Sequence, residues 1–109
     1  MTEPTTLEHA RAVKLRLRAA SKDATEARKE WTGLRFLMAK AEHEETRAMH
    51  AEAIGIYTLR MWAADERLAA IAEEWRACLA ARAAMPVADR WDLAALERWA
   101  VAQDKDGAP

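Results

Sequence analysis

Between Ile54 and Leu79 the apolar residues return every three or four positions. With Ile54 at position a, the a series is Ile54, Met61, Leu68 and Trp75, and the d series is Tyr57, Ala64, Ile71 and Cys78. The charges Arg60, Asp65, Glu66, Arg67, Glu73, Glu74 and Arg76 all fall off this seam. A repeat of about 3.5 residues is that of a helix packed lengthwise against another helix. A second heptad in one phase precedes it, with Ala10, Leu17, Ala24, Trp31 and Met38 at a and Val13, Ala20, Ala27, Leu34 and Ala41 at d. Half of its seam is alanine, so two backbones can approach closely while little surface is buried per residue.

The two seams differ in phase by two positions, and Glu45 and Glu52 would occupy a if the first continued. Gly55 is the expected point of reversal. This pattern predicts one long helix over 6–52, open to a bend at Gly33 or a fresh start at Ser21, and a second over 56–85. Thr5 is the expected N-cap of the first, with Glu8 completing a capping box. Pro86 ends the second helix, because a proline disfavours helix in the residue before it. A third helix is expected over 89–103, with Asp89 as N-cap and Asp92 in its first turn, before a frayed tail over 104–109. The fold class is therefore all-α: a long antiparallel helical hairpin with a short C-terminal helix in a single domain.

Composition agrees. Of 109 residues 27 are Ala, whereas Gly and Pro together supply only six, and β-branched residues are scarce, as in a helical chain. The formal net charge of −1 gives no overall attraction to nucleic acid or membrane. With no signal-like start and no long apolar run, a cytoplasmic, non-membrane protein is expected. The single Cys78 excludes an internal disulfide and, on the seam, reads as a small buried residue.

The sequence offers no reaction. It has no Gly-rich phosphate loop and no serine or cysteine in a nucleophile setting, so no catalytic residue and no cofactor are expected. Glu42, His43, Glu44, Glu45, His50 and Glu52 are the densest metal-capable group. They lack both the Glu-x-x-His spacing of di-iron bundles and the His-Glu-x-x-His spacing of zincins. A solvated acidic face around a helix end explains them, and no metal is expected; a ferritin-like bundle, or a site assembled between subunits through His43 and His50, is the alternative.

Two features point to partners. Arg11, Lys14, Arg16, Arg18 and Lys22 follow one another with no intervening acid, so they are candidates for salt-sensitive, sequence-independent contact with phosphate. No helix-turn-helix signature accompanies them, so base reading is not expected. Trp31 and Trp75 lie in the seams. Trp62, Trp91 and Trp99 exceed what a thin hairpin accommodates, and aromatic residues are enriched at interfaces. These three are the expected contacts of a homo-oligomer or of another protein.

The segment Ala88–Trp99, ADRWDLAALERW, resembles an acidic-start helix of phage-type small terminase subunits. The chain's size and paired long helices are also similar to the oligomerisation core of that class, although there the acidic-start helix usually precedes the pair. The resemblance implies a non-enzymatic, ring-forming adaptor that engages DNA and delivers it to a large ATPase–nuclease subunit for packaging. A protein–protein module or regulator of a bacterial or phage partner is the competing expectation.

Overall fold

The computed structural model describes residues 6–106, with side chains described over 6–104. Helix α1 spans Leu7–Lys40, α2 spans Glu44–Ala84, a 3-10 turn covers Val87–Asp89, and α3 spans Leu93–Asp106. No strand occurs among the described residues. The architecture is all-α, a long helical hairpin with a short third helix. Every position of both heptad seams is buried or half-buried, so the apolar period identified the packed face of each helix residue by residue.

The reversal is not at Gly55. It lies at residues 41–43, and α2 runs through Gly55 without a break. The first seam ends at Ala41, and beyond it the chain has an acidic run that suits a helix start. Glu44 and Glu45 occupy the first turn of α2, where the positive end of the helix dipole favours carboxylates. Arg47 closes the turn: its Nη2 donates to the carbonyl of Ala41 at 2.9 Å and its backbone N–H donates to the carbonyl of His43 at 3.0 Å. No glycine has positive φ among the described residues, so Gly55 sits in ordinary helix. An interior glycine costs about 1 kcal/mol, too little to break a helix whose seam continues on both sides.

Both outer caps shift as well. The expected cap at Thr5 lies outside the described residues. Thr6 caps α1, its hydroxyl accepting from the backbone N–H of His9 at 3.1 Å, which moves Glu8 one place earlier in the turn. Asp92 caps α3, its Oδ1 accepting from the N–H of Ala95 at 3.1 Å, whereas Asp89 belongs to the 3-10 turn. The reason lies in Arg90 and Trp91. Arg90 has extended backbone, and its side chain donates to the carbonyls of Met85 (3.0 Å) and Ala83 (2.8 Å). The Ala83 carbonyl lies in the last turn of α2 and that of Met85 just beyond its end, where carbonyls have no partner within the helix. Arg82 reaches the other way, donating from Nε to the carbonyl of Trp91 at 2.8 Å. The third helix continues to Asp106, past the expected start of the tail at residue 104.

The chain forms two compact units, one of residues 6–18 with 70–106 and the other of residues 19–69. In the first unit, parts of α1 and α2 are joined by α3. Ala10, Val13, Ile71, Trp75, Cys78, Trp91, Leu96 and Ala100 are buried there. Trp75 and Trp91 meet at a centroid distance of 6.3 Å, within the range of favourable aromatic pairs. In the second unit only α1 and α2 pair. They run antiparallel, as shown by the ion pairs Asp23–Arg67, Arg28–Asp65 and Glu30–Arg60.

Candidate association surface

The 19–69 unit buries Ala20, Ala24, Ala27 and Ala64, and no larger residue. Met61 and Leu68 pack against Ala24, Ala27 and Ala64 but stay partly open. Toward the turn the seam is closed by a polar chain: Trp31 Nε1 donates to Thr58 Oγ1 at 2.8 Å, and that hydroxyl donates to the carbonyl of Ile54 at 2.7 Å. The indole N–H is thus satisfied at a half-buried position, as it must be.

The same unit leaves Phe36, Leu37, Met49, Ile56, Leu59 and Trp62 exposed, each by half or more of its surface. The ion pairs sort these residues by side. Arg28–Asp65 marks one flank of the helix pair. Phe36, eight residues after Arg28, and Trp62, three before Asp65, keep to it by helical spacing. Arg28, Phe36, Asp65 and Leu68 share an open, mainly apolar groove floored by Ala24. Glu30–Arg60 marks the opposite flank, where Leu37 and Ile56 fall. The outer face of α2 carries Met49, Ile56 and Leu59 at spacings of seven and three, with Ala63 a further four along and exposed. Among the described residues, a Cβ built on Gly55 or on Gly33 would meet nothing within 4 Å.

The three tryptophans expected at an interface separate. Trp62 is 58% exposed and lies in the surface just described. Trp91 is buried in the other unit, its ring tilted by 42° to that of Trp75 and Arg82 over it at 5.3 Å. Trp99 is half-buried and covered by the Arg11 guanidinium at 4.8 Å. The third helix thus gives both of them places within the chain.

The acid-free run of cations is matched in space by acids from other elements. Lys14 lies 3.9 Å from Glu97 and over the Trp75 ring at 4.9 Å. Arg16 pairs with Glu74 at 3.1 Å, and Arg18 pairs with Asp104. Arg11 spends its charge on Trp99, and Lys22 stands exposed in the 19–69 unit, the one of the five with no such pairing among the described residues. The acidic group is a helix start: Glu42, His43, Glu44, Glu45 and Glu52 are exposed and His50 is half-buried. Among the described residues no three His, Cys, Asp or Glu side chains are grouped to hold a metal ion. Burial, with the nearby Glu74 charge adding to it, pushes the Cys78 thiol above its ordinary range, which keeps it protonated and weakly nucleophilic. Among the described residues no helix is long and apolar enough to cross a membrane.

Sequence reasoning missed Phe36, Leu37, Met49, Ile56 and Leu59. A signal for the last three existed. They form a second apolar stripe on the back of α2, which a helix break at 52–56 would interrupt. Compared with protein-family models, with curated proteins and with solved structures, the chain finds no match in any of the three.

Proposed function

We propose that the protein is a non-enzymatic helical adaptor that works by association, as a homo-oligomer, through its 19–69 unit. One observation carries this reading. The unit buries four alanines and nothing larger, while six large apolar side chains stand open on it. Water-exposed apolar surface of this extent on a small unit is characteristic of interaction sites. The deciding experiment is solution mass by light scattering across a concentration series. A mass at a multiple of 12.3 kDa supports the reading, and a monomer at every concentration overturns it.

The terminase-like form of this adaptor, engaging DNA without sequence preference and passing it to a large ATPase–nuclease subunit, takes its support from the resemblance at 88–99 and from the cationic stretch of α1. With Lys14, Arg16 and Arg18 already paired to acids, few cations remain to release counterions, and a shallow salt slope is expected. Fluorescence anisotropy with a random-sequence duplex at low salt tests it. Absence of binding there removes DNA from the proposal and leaves the adaptor reading in place.

A further inference from the structure

The occupant of the outer face of α2 can be named by chemistry. Met49, Ile56, Leu59 and Trp62 are between 58% and 70% exposed, and Leu37 of α1 is exposed on the Glu30–Arg60 flank. Together they open apolar surface on the order of 600 Å², at the upper end of the largest patches on ordinary monomers. Two such patches, one from each copy, amount to roughly 1,200 Å² in total, the lower end of specific, stable interfaces, and the exposed alanines Ala48 and Ala63 lie among them. The surface is also shaped for a helix. Its residues recur at helical spacing, and among the described residues nothing stands within 4 Å of a Cβ built on Gly55, so a second backbone can come close there.

Charge chooses the direction. Glu52 and Glu66 lie on this face, two turns either side of Leu59. A parallel pair of α2 helices would place each glutamate beside its own copy, which is repulsive. An antiparallel pair centred on Leu59 would set Glu52 against Glu66, which is no better. Moving the centre so that Ile56 of one copy faces Leu59 of the other puts Ala63 opposite Glu52 and Met49 opposite Glu66. This arrangement is two-fold symmetric, and such closed, self-complementary interfaces are the commonest among homo-oligomers.

We infer that the protein is an antiparallel dimer through the outer faces of α2, with Ile56 opposite Leu59 of the second copy and Gly55 at the closest approach, so that two helix pairs complete one four-helix layer. This deepens the adaptor reading, on which it rests, by naming the surface, the occupant and the register.

The test is sedimentation of full-length wild type, Ile56→Arg, Leu59→Arg and, as control, Val87→Arg, whose side chain is exposed in the other unit. The two α2 variants are expected to weaken dimerisation at least tenfold with helicity by circular dichroism unchanged, and Val87→Arg to leave it as in wild type. A dimer that survives Leu59→Arg overturns this interface while sparing the adaptor reading; a monomeric wild type overturns both. Should the charged variants unfold, a spin label at Ala48→Cys on a Cys78→Ala background decides instead. The antiparallel register predicts a label separation of about 30 Å from the helical rise of 1.5 Å per residue, and a separation near 10 Å, the spacing of parallel neighbours, overturns it.

Discussion

The two units are made from the same two helices and the same heptad period, yet they use it differently. The unit of residues 6–18 and 70–106 buries Val13, Ile71, Trp75, Trp91 and Leu96 with smaller neighbours, whereas the 19–69 unit buries alanine alone. The difference is a third helix. Two helices bring one stripe each together, and whatever apolar surface lies off that stripe stays in water. A third helix covers another face, and its own Leu96 and Ala100 are then enclosed. Apolar burial contributes about 25 cal/mol per Å², so an alanine seam supports little stability unaided. A periodic seam therefore identifies the face that packs, but the number of neighbours decides how much that packing is worth.

The strongest way to break this comparison is to cut a large side chain from the three-helix core. Leu96 is 1% exposed, and Leu96→Ala should lower unfolding free energy by about 2–5 kcal/mol, read from the urea midpoint. A loss below 1 kcal/mol would mean that the core is loose and the contrast between the units false. Overpacking the other unit comes next. Ala27→Leu adds bulk where two backbones lie close, and about 1–3 kcal/mol should be lost. A gain in stability would show that the alanine seam has room to spare.

Arg90→Ala removes the donors to Met85 and Ala83 carbonyls that end α2. A loss of about 1–2 kcal/mol is expected, visible as a lower melting temperature; an unchanged melting temperature would mean that water replaces the arginine fully. The smallest effect has the opposite sign. Gly55→Ala meets no obstacle and should stabilise the helix by about 0.5–1 kcal/mol. In the proposed dimer the same methyl enters the line of closest approach, so a gain in helix stability accompanied by weaker self-association would sharpen the assignment of that face.

Much of the fold was legible, for an identifiable reason. All eighteen seam positions avoid full exposure because burial follows helical phase directly. The turn was harder. Gly55 drew the reversal by its local preference, while the signals at residues 41–45, an ending seam and a run of acids, were weaker one by one and correct together. That misplacement also concealed part of the candidate surface, since Met49, Ile56 and Leu59 make a stripe only on a helix that passes through Gly55. The cations mislead in the same way. An acid-free run in sequence says nothing about Glu74, Glu97 and Asp104, each of which lies 58 or more residues along the chain from the cation it meets.

What the sequence determined alone was what depends on neighbours a turn or two apart: helical class, the buried stripe of each helix, the stop at Pro86 and the inert place of Cys78. What only the tertiary structure decided was everything that depends on which side chains meet across elements. Burial of Trp91 and the covering of Trp99 follow from the docking of α3, and exposure of Trp62 from the lack of any third helix in the 19–69 unit. Arg16 and Arg18 became structural because the packed helices brought carboxylates beside them. Periodicity is local and survives in one dimension; solvent exposure and charge neutralisation belong to surfaces, and a surface exists only once the chain has folded.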